Sequence, residues 1–499
     1  MAGDPGSAPR VIALDIGSSA TRGCVFDTTG RPIGKRAKQE HAFTTAADGT
    51  ATVDAVTVAH EVAAVLDQLV ERANGPIAGV ALDTFASSLV GVDAHGNALT
   101  PCFTYADGRC AAEVHQLRSE LDEADVQQQT GCRIHASYLP ARLLWLRRTQ
   151  PSVFSAAHRW VSLGEFVHLA LLGTARIGTS SAAWTGMLDR HTGQWDAALL
   201  GHIGISTDLL SPIADPDQPY QAIDDRVARR WPHLAEAVWF PPIADGLASN
   251  IGLGAADGAT VALTAATSGA MRTLVTGIPA TVPTGLWCYR IDARRNLVGG
   301  ALNDVGRVAT WIDETLDLGE ADLDDIVAAP PSDTTPLMVP FLTGERSTGW
   351  AARARASFAN VTAASTGPAM ARAAFEGVAT SYRRIAGQLV EVSGTHSETD
   401  VHGRNHGPRR IHAGGGLLSG IPSFATILAN ALELPVIPVT TKRTTLRGTA
   451  LLALEALAPG SVPPPPDLAE AIEPDPAQAA HYARQAALFD RLVTGQATE

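Results

Sequence analysis

The sequence predicts an α/β fold made of two similar halves, and three observations point to it. An apolar run, Val11-Ile12-Ala13-Leu14, ends at Asp15-Ile16-Gly17-Ser18-Ser19, as a buried strand running into a tight turn does. The same grammar returns at Thr260–Gly269, a buried strand ending in Ala266-Thr267-Ser268-Gly269. In each half such strands alternate with amphipathic helical stretches. Two similar halves imply a duplicated fold, with a cleft where the two strand-end turns face each other. At 499 residues the chain exceeds the usual single-core size. Two domains are therefore expected, 1–254 and 255–499, with the boundary in the Gly/Ala-rich stretch 250–258.

Val25-Phe26-Asp27 leads into Thr28-Thr29-Gly30-Arg31-Pro32, so residues 11–36 read as a β-hairpin. A helix follows from Asp54, with Val58, Val62, Val65, Leu66 and Leu69 on one face and Asn74-Gly75 closing it. Ile77–Asp83 is a further buried strand. In the second half Met271–Leu274, Leu286–Arg290 and Leu297–Ala301 supply strands. A helix near 367–390 carries Met370, Ala374, Val378, Tyr382, Ile385 and Leu389 on one stripe. The segment 396–410, with His402 and His406, reads as a polar loop. Its histidines, even with His412, lack carboxylate support and read as solvated. Pro463–Pro466 is a stiff connector and 476–493 a terminal amphipathic helix.

Composition narrows the class. The formal charge of −13 argues against nucleic acid or an anionic membrane as the main partner. Cys24, Cys102, Cys110, Cys132 and Cys288 are odd in number and scattered, so reduced thiols are expected. The N-terminus has no apolar signal core, and no 18-residue apolar stretch follows. A soluble, cytoplasmic protein is expected; a homodimer is left open.

Two turns carry chemistry. Asp15 closes a strand, Gly17 permits close backbone approach, Ser18 and Ser19 offer hydroxyls, and Arg22 is a nearby cation. That grouping suits a phosphate with its divalent metal; the plainer alternative is a strand turn with a solvated Asp. Gly414-Gly415-Gly416-Leu417-Leu418-Ser419 follows the strand Arg410–Ala413 and precedes a helix Pro422–Leu434. It suits close contact with a ligand's ring or phosphates, though a tight turn explains it nearly as well. Gly30–Arg36 imitates a P-loop but has one residue too few between its glycines and no Ser/Thr after Lys35.

Together the Asp15–Ser19 hairpin, Ala266–Gly269 and Ala413–Gly416 resemble the two phosphate motifs and the adenosine motif of the sugar-kinase, actin and chaperone ATPase superfamily. Ser137–Leu146, with Arg142 where lysine is usual, Pro340–Arg346 and Ala374–Val378 narrow the resemblance to the FGGY carbohydrate kinases. Thr185–Asp189 and Leu286–Arg290 resemble the gluconate kinase branch. The resemblance implies a two-domain actin-like ATPase (ribonuclease H-like) fold with duplicated βββαβα cores. It also implies ATP and Mg²⁺ as cofactors, and phosphoryl transfer to a hydroxyl of a small sugar or sugar acid. Gluconate is preferred, with xylulose or another ketose as the alternative and an inactive sugar-binding regulator as a remoter one.

By that resemblance Asp15 is the metal-associated carboxylate. Ser18, Ser19, Thr267 and Ser268 contact phosphate oxygens, with Gly17, Arg22 and Gly269 beside them, and Gly414, Gly415, Gly416 and Ser419 line the nucleotide. Asp245 matches the family's base, next to the acceptor hydroxyl. Tyr105-Ala106-Asp107-Gly108-Arg109 is similar to the segment that binds the polyol, Asp107 accepting from hydroxyls and Arg109 pairing with a sugar carboxylate. Thr84-Phe85-Ala86-Ser87-Ser88 stands where relatives carry Trp-His or Met-His, so Ser87 and Ser88 face an enlarged pocket. Ala244 and Ala266 replace glycines, which requires negative φ there. Asn430 replaces a common Asp.

Overall fold

The computed structural model describes residues 9–73, 75–332, 334–394 and 410–496. The polar loop expected over 396–410, apart from residue 410, and Asn74 lie outside them. Contacts divide the chain into two units. One holds Met1–Gly252, Cys288–Asn296 and Arg443–Pro465; the other holds Leu253–Trp287, Leu297–Lys442 and Pro466–Glu499.

In the first unit β1 (Arg10–Ile16), β2 (Ala20–Phe26) and β3 (Pro32–Glu40) form an antiparallel meander. The expected hairpin is present, extended by a third strand. The strand Ile77–Thr84 pairs parallel with the other side of β1, and Val238–Trp239 and Ile243–Ala244 pair parallel with it in turn. Helix α1 (Ala55–Arg72) is capped by Asp54, whose carboxylate accepts from Thr57 N at 2.6 Å. Its face of Val58, Val62, Val65, Leu66 and Leu69 is buried in one core with Ile12, Leu14, Ile16 and Leu82. The helix Thr444–Leu457 also packs on β1 and on Ile77–Thr84, and lies tightly against the helix Asp245–Gly252. A Cβ added to Gly448 would stand 1.8 Å from Ala248 O, so the backbones meet there without room for a side chain. All five cysteines belong to this unit and are buried. Burial pushes the Cys102 and Cys288 thiols up to about 12.

The second unit repeats the pattern. Thr260–Ala265 pairs antiparallel with Gly269–Thr276 and parallel with Arg410–Gly414, which pairs parallel with Val436–Pro438. The first strand stops at Ala265, earlier than expected, because Ala266–Ser268 form the turn that Ala266 N closes onto Ser268 O. The helix Gly367–Gly394 buries Ala374, Phe375, Val378, Tyr382, Ile385 and Leu389. The Tyr382 hydroxyl donates to Thr264 O at 2.7 Å, fixing this helix on the sheet.

The helix expected over 422–434 is present as Phe424–Leu432, ended by Glu433 at φ 55°, and the glycine loop before it holds a short helix of its own, Gly416–Gly420. Asn430 donates to Gln478 Oε1 and accepts from Asp475 N, at 2.9 and 2.7 Å, anchoring the approach to the terminal helix Ala479–Gln496. An aspartate there would lose the donated bond. Among the described residues no helix is long and apolar enough to cross a membrane.

Candidate active site

Parallel pairing lines up three aspartates in the first unit. Asp15 lies opposite Asp83 in the register of β1 with Ile77–Thr84. Ile243 and Ala244 lie opposite Asp83 and Thr84, so Asp245 follows at the same end of the sheet. This is the carboxyl end of the parallel strands, where open α/β sheets hold their ligands.

Asp83 has no role in the motif reading; the signal that would have found it is a lone carboxylate closing an otherwise apolar strand, the pattern that marks Asp15. It is wholly buried and accepts from the Thr449 hydroxyl at 2.5 Å. Burial holds its carboxyl well above the usual carboxylate range, and the charges of Asp15 and Asp245 add to that. Asp15 is 9% exposed. Burial raises its carboxyl too, opposed by Arg22, whose Nη1 stands 3.4 Å away. Arg22 Nη2 donates to Ser19 Oγ at 3.3 Å. Ser18 and Ser19 are exposed on a turn closed by Gly17 N to Ala20 O at 3.1 Å.

The sugar-side candidates are organised by Arg142. This fully buried guanidinium donates to Ser87 O, Asp107 O and Ala136 O at 2.9, 3.3 and 3.1 Å, joining three loops. Ser87 has φ 57°, an uncommon conformation for a side chain of its kind, and its hydroxyl donates to Trp184 O at 2.7 Å. Trp184 stacks on Tyr289 at 3.7 Å between ring centroids. Ser88 Oγ accepts from Leu163 N. Asp107 is buried and takes Arg109 Nη2 at 2.6 Å, Arg109 Nε at 3.0 Å and Ala51 N at 3.1 Å. The Arg109 guanidinium lies 4.5 Å from the Trp145 ring centroid. This pair is thus engaged within the protein, and Arg109 stacks as well as pairs.

The second unit carries its own turn and loop. Ala266, Thr267 and Ser268 are exposed. Their backbone is braced by Gly306 N to Ala266 O and by Val305 N and Arg307 N to Thr267 O. Gly269 lies against the Tyr382 hydroxyl. Gly415 has φ 118°, and a Cβ there would stand 2.2 Å from Ala265 O, so the loop requires glycine. Gly416 and Ser419 are exposed beside it, with Gly414 half-buried. Neither Ala244 nor Ala266 is among the described residues with positive φ, which is what their replacement of glycine requires.

Comparison with known proteins names this arrangement. Residues 10–249 match the N-terminal domain and residues 283–457 the C-terminal domain of the FGGY family of carbohydrate kinases. The gluconokinase of Bacillus subtilis (strain 168) is 26% identical over 385 residues, 74% of each chain. A gluconate kinase structure from Lactobacillus acidophilus superposes with a TM-score of 0.89 at 26% identity, covering 98% of this chain and 99% of that one. A ligand-bound xylulose kinase from the same organism gives the same score and identity, covering 98% of each. A glycerol kinase from Plasmodium falciparum with ADP shares the fold, at a TM-score of 0.84 and 16% identity over 99% of both chains. The chain belongs to the FGGY family of carbohydrate kinases, with the two-domain actin-like ATPase fold and ATP-dependent phosphotransfer to an alcohol group.

Proposed function

We propose that this carbohydrate kinase phosphorylates a sugar acid, gluconate first, with Asp245 as general base. The reading rests on the row Asp15–Asp83–Asp245 at the carboxyl end of one sheet. It draws its substrate from the likeness to the gluconokinases, which extends over 74% of the chain. Asp245 accepts the proton of the attacking hydroxyl. Ser18, Ser19, Thr267 and Ser268 donate to phosphate oxygens, with Gly17, Arg22 and Gly269 shaping their turns. Gly414, Gly415, Gly416 and Ser419 receive the nucleotide, and Ser87, Ser88, Asp107 and Arg109 border the sugar.

Mg²⁺ fits the hard-oxygen donors at Asp15 and supplies neutralisation of phosphate charge. Among the described residues no three His, Cys, Asp or Glu side chains form a metal cage. Such an ion would complete its shell with phosphate and water, its usual habit.

A xylulose kinase reading is favoured by one observation. Asp107 already engages Arg109 through two of its nitrogens, which leaves less of the guanidinium for a sugar carboxylate. An ATP-consumption screen over aldonates, ketoses and polyols decides. Gluconate turnover well above xylulose is expected, and Arg109→Ala should then raise KM for gluconate more than for xylulose. Preference for a ketose, or equal effects of the substitution, removes the sugar-acid reading.

A further inference from the structure

The first phosphate turn is held from outside by a residue with no part in any motif. His41 follows β3, and its backbone N–H donates to Ser19 O at 3.2 Å. Its ring Nε2 stands 2.9 Å from Gly17 O, so one residue grips the turn at both ends. On the other side of the ring Nδ1 stands 2.8 Å from Glu61 Oε2, and that oxygen also accepts from the Thr21 hydroxyl at 3.0 Å. Both side chains are nearly enclosed, at 6% and 12% exposure.

A backbone carbonyl can only accept, and so can an ionised carboxylate. A neutral imidazole has one N–H and would leave one of these contacts without a donor. A ring carrying two protons satisfies both, and its charge meets the Glu61 carboxylate. Lys38 and Glu40 on β3 pair with each other, and Arg22 on β2 is taken by Asp15 and Ser19.

We infer that His41 is a positioning residue for the Gly17–Ser19 turn, its ring tying the turn to Glu61 on α1. It touches neither sugar nor metal. Its work is to keep the Ser18 and Ser19 donors where the nucleotide's phosphates need them, which rests on the reading of that turn as a phosphate site. Loss of the ring breaks both contacts, and the loosened turn binds phosphate less well.

The test is the affinity of the whole protein for ADP with Mg²⁺, by calorimetry, for wild type, His41→Ala, His41→Gln and Glu61→Gln. His41→Ala should weaken ADP binding several-fold, and His41→Gln, which keeps one donor, should weaken it less. Glu61→Gln should weaken it in the same direction, a readout that stands even if a His41 variant fails to fold. In turnover, KM for ATP should rise in the variants while kcat and the sugar KM change little. ADP affinity and KM for ATP equal to wild type in His41→Ala and Glu61→Gln overturn the inference, and so does a loss confined to kcat or to the sugar KM. Weakened ADP binding in a protein that phosphorylates no sugar tested would sink the acceptor reading and leave the positioning role standing.

Discussion

Asp15 and Asp83 show how one sheet register turns two similar carboxylates into different groups. Asp15 keeps a cation beside it and some exposure; Asp83 has the Thr449 hydroxyl and is wholly buried. Removing that hydroxyl with Thr449→Val should cost about 1–3 kcal/mol, since the buried carboxyl loses its donor. Urea unfolding checks this; an unchanged midpoint would mean the hydroxyl contributes nothing. Asp245→Asn should lower kcat by roughly 10²–10⁴ with ADP affinity nearly intact, as expected of a base that acts on the acceptor alone. Retained turnover would remove Asp245 from that role.

The sequence reveals Asp15 because its turn, its hydroxyls and its cation are consecutive. It hides the setting of Asp83, whose hydroxyl partner lies 366 positions away. For Asp107 and Arg109 the spacing fits a substrate clamp and an internal ion pair equally, and only the side-chain geometry shows the pair made.

Among the elements, those with local signals were legible and those shaped by distant neighbours were not. Asp54 announces α1 because a cap needs only the next few residues. The short helix Gly416–Gly420 carries no comparable signal, because its glycines read as a loop. The close meeting of Asp245–Gly252 with Thr444–Leu457 depends on glycines that look unremarkable in sequence. Gly448→Ala should cost about 3 kcal/mol, because the added carbon meets a backbone oxygen that cannot swing aside. A change in urea midpoint well below that would show that the helices can part.

The helix Leu163–Leu172 offers a pH test. His168 is fully buried, touches the Tyr220 hydroxyl, and is held neutral by burial down to about 3. The unfolded chain takes up that proton near pH 6.5. The folded state thus holds fewer protons, and stability present above about pH 6.5 is lost as pH falls toward 3. His168→Gln should flatten this acid limb in urea unfolding at a series of pH values. An unaltered limb would assign it to other groups.

At the scale of the molecule, the duplicated architecture was readable because strand-end turns recur with the same grammar in both halves. The route of the chain was not, since nothing in Cys288–Asn296 or Arg443–Pro465 marks them as parts of the first unit. A fragment of residues 1–254 would therefore lack the helix that carries Thr449 and covers β1. It should show neither a cooperative unfolding transition nor hydrogen-exchange protection of β1; a sharp transition would mean that Thr444–Leu457 is dispensable. ADP at about a hundred times its dissociation constant should stabilise the full chain by about 2.7 kcal/mol.

The five enclosed thiols give the molecule an asymmetric stopwatch. All sit in one unit, and none can meet a maleimide until its surroundings open. Modification rates would thus time the breathing of that half alone, while the other, blank to the reagent, could come apart and re-form without leaving a chemical trace.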